Sequence, residues 1–203
     1  MGHRIRVLGI RDRQVPLALV RNAVRRVASD MKVDVGNESG RQWQALQLEH
    51  SDNTPIAFVE CNPVLEGELG AAEVQEFVDE VRSGKPASAA KWLVQYLPKV
   101  KVIYAIQVLS GAYVGDGWDA IHAMQNAIWE TVGGILQADL EGFSNEDGCH
   151  ILWQFSDDVK GDWNMAVLNS DGQWTKFNMD LGNREQRRAF LEGRIPPKAK
   201  LIH

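Results

Sequence analysis

The residues best placed to do chemistry are carboxylates in the second half of the sequence. Asp139 and Glu141 stand two apart in the segment 135–143, whose apolar pattern predicts a β-strand. Residues two apart on a strand project from the same face, so both carboxylates are expected to point in one direction. Asp116 and Asp119 open the helix that is predicted just before this strand.

Together with Glu146 and Asp147 in the next turn, up to four of these carboxylates could converge. Such a group could bind Mg²⁺, Mn²⁺ or Ca²⁺, or place a raised-pKa acid beside an ionised base for hydrolysis. Helix capping, turn chemistry and a solvated strand face explain the same residues without any function. Asp139 and Glu141 are therefore candidate catalytic residues under one hypothesis, a divalent-metal-dependent or acid–base hydrolase.

Motifs that would strengthen an enzyme hypothesis are missing from the sequence. It contains no GxGxxG, GxxxxGK[ST], HExxH or GxSxG motif, and its five histidines lack metal-site spacing. Cys149 and His150 are adjacent, so on a strand they point to opposite faces and cannot pair as nucleophile and base. The hydrolase hypothesis therefore ranks second, and no cofactor is expected beyond the divalent cation that it would need.

Aromatic residues accompany the acidic ones and favour a binding function. Six of them fall in predicted loops, strand ends or hairpins: Tyr113, Trp118, Phe143, Trp153, Trp163 and Trp174. Acidic surfaces with partly exposed aromatic rings are typical of protein-binding patches, although core packing also explains most of the tryptophans. The first hypothesis is a non-catalytic interaction module, inhibitor- or immunity-like or an adaptor, for a basic protein partner. Its predicted binding residues are Tyr113, Asp116, Trp118, Asp119 and Phe143.

Hydrophobic periodicity predicts an α+β fold with mainly antiparallel sheets and helices packed on one side. Strands are expected at residues 4–10, 32–35, 41–50, 55–61, 100–109, 135–143, 149–155, 163–169 and 173–181, with a GNESG turn at 36–40. Helices are expected at residues 15–30, around 74–81, from a Ser88 cap to 97, at 118–132 and at 184–191.

The chain is expected to form one globular domain over residues 1–203. Two loosely similar halves, 1–66 and 99–203, both begin in the order β-α-β-β-β, with a helical connection at 67–98. There is no repeat at the level of individual residues, and an exposed edge strand leaves a homodimer open.

Composition limits the remaining function classes. A net charge of −5 gives no basic field for a phosphate backbone, so nucleic-acid binding is not expected. The sequence has no run of roughly 18 apolar residues and no signal-peptide pattern, so neither a membrane partner nor secretion is expected. Two isolated cysteines suit reduced thiols, and the predicted location is the cytoplasm, of bacterial type.

Overall fold

The computed structural model describes residues 3–35 and 43–202. The α-helices in these ranges are α1 (Leu17–Val27), α2 (Leu69–Val81), α3 (Ala87–Tyr96), α4 (Gly117–Val132) and α5 (Arg184–Leu191). The strands are β1 (Arg4–Gly9), β2 (Lys32–Asp34), β3 (Ala45–Glu49), β4 (Pro55–Pro63), β5 (Val102–Val108), β6 (Ile135–Ala138), β7 (Gly142–Ser144), β8 (Asp162–Leu168), β9 (Trp174–Asp180) and β10 (Lys200–Ile202). The fold is α+β, as predicted, and the GNESG turn at 36–40 lies outside the described residues.

The chain divides into two compact units. The first comprises Met1–Ala71 and Val100–Gly134, and the second comprises Ala72–Lys99 and Ile135–His203. No helix in the described ranges is both long and apolar enough to cross a membrane.

In the first unit, an antiparallel sheet supports two helices. Its strands follow the order β2-β3-β4-β5-β1, and β5 pairs with both β4 and β1. The interior position of β5 explains its nearly continuous apolar sequence. Helices α1 and α4 pack against each other. Each buries an apolar stripe at helical spacing, including Val20 and Val24 on α1 and Ile121, Met124 and Ile128 on α4.

Backbone chemistry sets where these two helices begin and end. Pro16 is extended, with φ −64° and ψ 131°, and Ala28 leaves the helical region, so α1 is shorter than the predicted 15–30. The exit from α4 uses two glycines in the left-handed region, Gly133 at φ 64° and Gly134 at φ 92°. A Cβ at Gly134 would lie 1.9 Å from the Leu8 carbonyl oxygen, so only glycine fits there.

In the second unit, β6 pairs with β7, and a separate antiparallel sheet has the order β10-β9-β8. The antiparallel pairing of β8 with β9 confirms the strands predicted at 163–169 and 173–181. One face of that sheet buries a core that includes Met165, Phe177, Met179 and Phe190.

The strand predicted at 149–155 and the Ser88 cap are wrong. Residues 149–155 do not form a strand, because only His150 makes bridges there, antiparallel to Ser144 and parallel to Met165. Ser88 does not cap α3, whose N-cap position is Pro86 and which has no side-chain capping bond.

Candidate functional site

Asp139 and Glu141 lie in a tight turn between β6 and β7, not on one strand. Ala138 pairs with Gly142 across the hairpin, and the Glu141 amide donates to the Ala138 carbonyl at 3.2 Å. Leu140, between the two carboxylates, has φ 66° and is exposed. The prediction that strand alternation aligns these side chains is therefore wrong, since the turn interrupts the strand after Ala138.

Asp116 and Asp119 occupy the start of α4 in the first unit. Asp116 stands at the N-cap position, yet its side chain makes no capping bond and its backbone, at φ −86° and ψ 21°, is not extended. Asp119 lies in the first turn, where a negative charge suits the helix dipole. Both residues are exposed.

The carboxylate candidates are thus divided between the units, with Asp116 and Asp119 in the first and Asp139 and Glu141 in the second. Among the described residues, no group of three or more His, Cys, Asp or Glu side chains is arranged to hold a metal ion. The hydrolase remains a prediction from sequence, without a geometric feature that favours it.

The predicted aromatic binding residues have different environments. Phe143 is 0% exposed and meets Phe77 edge to face at 5.5 Å between ring centroids, so it is a core residue. Tyr113 is 71% exposed, and its ring centroid lies 5.9 Å from that of Trp118. Trp118 in turn lies 5.6 Å from the His122 ring, one helical turn further along α4. Tyr113 and Trp118 therefore begin a row of accessible rings.

That row leads to an open groove between α1 and α4, which we call the helical groove. Its volume is about 710 Å³. It is lined by Leu19, Asn22, Ala23, Arg26 and Val27 from α1 and by Asp119, His122, Ala123, Asn126, Ala127 and Glu130 from α4. Apolar and small side chains supply about half of this lining, and amides, charged groups and an imidazole supply the rest.

Both walls of the helical groove carry charge. Arg26 lies on the α1 wall, while Asp119 and Glu130 lie on the α4 wall. The lining therefore has two carboxylates and one guanidinium, and Asp116 adds a further exposed carboxylate at the start of α4. The Arg11 guanidinium donates to the Glu130 backbone carbonyl at 3.4 Å, so it approaches the far end of the α4 wall.

The sequence prediction named Asp119 and its neighbour Trp118 but missed the α1 wall. On α1, the sequence predicts that Arg21, Arg25 and Arg26 form a solvated helix face in preference to a basic groove, and of these three Arg26 lines the helical groove. The polar and small residues at three- and four-residue spacing, Asn22, Ala23 and Arg26, were the available signal.

A second cavity, which we call the polar pocket, lies within the second unit. Its volume is about 450 Å³, and it is lined by Gly148, His150, Asp162, Trp163, Asn164 and Asn178. Of these six residues, the sequence places only Trp163 in a candidate binding surface, and it does not predict the pocket. The alternation of polar residues along β8 was the available signal.

His150 is the buried member of the polar pocket. Its Nδ1 atom lies 3.0 Å from the Ser144 hydroxyl, and burial lowers the pKa of the imidazole to about 4. Ser144 is itself buried. A weakly basic imidazole beside an enclosed hydroxyl does not suit general-base activation of serine at neutral pH, and the pair is better explained as a buried hydrogen bond.

Comparison of the chain with protein-family models, curated proteins and solved structures finds no match.

Proposed function

We propose that the chain is a non-catalytic protein-interaction module, inhibitor- or immunity-like or an adaptor, that binds its partner through the helical groove. The observation that carries this proposal is the groove itself, an open cavity of about 710 Å³ between two helices, whose lining residue His122 lies 5.6 Å from the partly exposed Trp118 ring.

The shape and lining of the groove suit a protein surface. Leu19 and Val27 are exposed large apolar residues on the same helix, eight residues apart along one side of the groove. Apolar surface framed by polar side chains is a common feature of binding sites between proteins. The cavity stays open because its lining includes three alanines, Ala23, Ala123 and Ala127. Longer side chains at these positions would fill it.

Tyr113 and Trp118 are suited to anchor the partner. Large aromatic side chains often contribute a major part of the binding free energy at interfaces, and Tyr113 has its ring largely in solvent. Because carboxylates outnumber guanidinium groups along the groove, and the chain has a net charge of −5, we infer a partner with basic residues at its contact surface.

Site-specific photocrosslinking in native lysate tests this function. A photoreactive amino acid replaces Val27 in the groove or, as the matched control, Leu201 in β10; the two side chains are 46% and 48% exposed. We expect a discrete protein adduct from position 27 that is absent from position 201. The same adduct is expected to be lost when Trp118→Ala is added to the position-27 protein.

Binding of the purified partner then gives a quantitative measure. Trp118→Ala is expected to weaken the affinity by at least about tenfold, and raised salt is expected to weaken binding further if basic residues meet the groove. Absence of an adduct specific to position 27, or a partner whose affinity is unchanged by Trp118→Ala, would contradict the proposal.

A further inference from the structure

The two walls of the helical groove follow the same helical spacing. Starting from Leu19 on α1 and from Asp119 on α4, the lining residues stand at positions i, i+3, i+4, i+7 and i+8, and Glu130 continues the α4 row at i+11. Residues at these positions share one face of a helix. The α4 row covers a length of about 16 Å, or three helical turns. The groove is therefore long enough to hold one face of another short helix.

Small residues form the floor of the helical groove. Ala23, Ala123 and Ala127 are partly or fully buried, whereas the other lining residues are exposed and form a rim on each side. The rims are Leu19, Asn22, Arg26 and Val27 on α1 and Asp119, His122, Asn126 and Glu130 on α4. Side chains of one helix pack into the space between rows of side chains on its neighbours. Because the alanines are short, large apolar side chains of an incoming helix can reach the floor between the two rims.

The surface that the groove presents consists of helix side chains. Backbone amides and carbonyls within α1 and α4 bond inside their own helices, so these walls cannot pair with an added β-strand. An extended segment in the groove would leave its own backbone groups without backbone partners. A helix satisfies these groups internally and offers only side chains. The groove therefore favours a helical segment over an extended one.

The two rims differ in charge. The α4 rim has one carboxylate at each of its ends, Asp119 and Glu130, and the α1 rim has the guanidinium of Arg26. Two basic residues eleven positions apart on a docked helix share a face, because eleven residues make close to three turns, and they would match both carboxylates. Arg26 favours an acidic or amide side chain on the other flank of that helix. The charges thus specify an amphipathic helix with one basic flank.

We propose that the helical groove binds an amphipathic α-helix of the partner protein, with large apolar residues against the three alanines and lysine or arginine along the flank that faces α4. An amphipathic helix in a groove is a recurring mode of peptide recognition, with anchors at positions i, i+3 or i+4 and i+7. This inference rests on the proposed function, because it names the segment of the partner that occupies the same groove. It adds the conformation of that segment and the pattern of its side chains.

Selection from a display library of random peptides tests the proposal on the whole chain. The peptides have about 18 residues, enough for three helical turns along the groove and one turn at each end. They are selected on the wild-type protein and counter-selected on Ala123→Met, whose longer side chain fills part of the groove. Ala18 is exposed on α1 and does not line the groove, so Ala18→Met makes the same change as a matched control.

We expect groove-dependent peptides with apolar residues at helical spacing and a positive net charge, which gain α-helical circular dichroism on binding. Ala123→Met is expected to weaken their affinity at least about tenfold, and Ala18→Met is expected to leave it unchanged. The double variant Asp119→Asn/Glu130→Gln changes only exposed side chains and is expected to weaken binding about three- to tenfold at low salt. Glu66→Gln neutralises an exposed carboxylate outside the groove and is expected to have no effect.

Several results would overturn the proposal: no groove-dependent peptide, groove-dependent peptides that stay non-helical when bound, or a preference for acidic peptides. Dimerisation of the chain that Ala123→Met abolishes would also overturn it, because a second copy would then occupy the groove. Thermal melts verify the fold of each variant, and the double carboxylate variant tests the groove independently should Ala123→Met fail to fold. A position-27 adduct from lysate alongside any of these results would retain the proposed function and reject only the helical partner. Helical peptides without that adduct would reject the proposed function instead.

Discussion

The two units use aromatic residues in opposite ways. In the first unit, Tyr113 and Trp118 stand at the start of α4, with the Tyr113 ring in solvent and Trp118 partly exposed. In the second unit, Phe177 and Phe190 are fully buried in the core of the β8–β9–β10 sheet, and Trp163 packs against that core.

The difference shows that residue type alone does not separate a binding residue from a core residue. On β9, burial alternates, so Phe177 and Met179 face the core while Asn178 between them faces away from it. At the start of α4, the preceding turn projects Tyr113 from the surface, and Trp118 lies beside it. The local backbone therefore decides whether an aromatic ring contributes to stability or to recognition.

The largest effect that follows is on stability. Phe177→Ala is expected to lower the free energy of unfolding by about 3–5 kcal/mol, because it leaves a cavity in a fully buried cluster. Tyr113→Ala is expected to change it by less than about 0.5 kcal/mol, because most of that side chain is already in water. Urea denaturation followed by circular dichroism measures both values.

Similar losses in the free energy of unfolding of Phe177→Ala and Tyr113→Ala would show that the two units do not use their aromatic residues differently. A large loss from Tyr113→Ala in particular would show that its ring stabilises the fold, and it would remove Tyr113 from the proposed binding surface.

A second contrast concerns pH. Burial among aromatic rings lowers the pKa of His150 from 6.5 to about 4. Between pH 4 and pH 6.5, this histidine is therefore protonated in the unfolded chain and neutral in the folded chain. Stability from this group is fully present above pH 6.5 and falls as the pH decreases towards 4. The loss attributable to His150 is expected to be about 3 kcal/mol over that range.

The measurement is a set of urea denaturation curves between pH 7 and pH 4. His150→Gln is expected to be less stable at pH 7 but to show a shallower decline than the wild type. His122→Gln removes an exposed histidine beside Trp118 and serves as the matched control for the loss of a histidine. A His150→Gln slope equal to that of the wild type would contradict the assignment to this buried imidazole.

Much of the fold could be predicted from local sequence patterns. The stripe from Ile121 to Val132 predicts α4 because apolar residues recur in the sequence at helical spacing. Gly133-Gly134 marks the end of the helix. The break between β6 and β7 was not predictable in this way. In the segment ILQADLEGF, apolar and polar residues alternate through the turn, and the left-handed conformation of Leu140 has no sequence signal as specific as Asn-Gly.

The helical groove was only partly predictable, for a different reason. Periodicity identifies the buried face of each helix, but it does not show which exposed residues of α1 lie across from those of α4. Arg26 and Asp119 are more than ninety positions apart in the sequence, and only the packing of the two helices places them on one cavity. Contacts between such distant residues cannot be predicted from the pattern within any single segment.

The smallest predicted effect compares the N-cap residues of two helices, Asn183 at α5 and Asp116 at α4. At α5, the Asn183 side chain accepts hydrogen bonds from the amides of Glu185 and Gln186 at 3.0 and 3.2 Å, whereas Asp116 makes no capping bond at α4. Asn183→Ala is therefore expected to lower the free energy of unfolding by about 1 kcal/mol and to speed hydrogen exchange at those two amides. Asp116→Ala is expected to lower it by less than about 0.5 kcal/mol, through a weaker interaction with the helix dipole.

Equal losses at the two positions would show that Asp116 stabilises α4 as a cap despite its geometry. The expected inequality has a functional consequence, because Asp116 is then a carboxylate that the fold does not require. Under the proposed function, Asp116→Ala should lower the free energy of binding to a basic partner at low salt by more than it lowers the free energy of unfolding. Asn183→Ala should do the reverse, so the pair of variants separates recognition at the first unit from stability of the second.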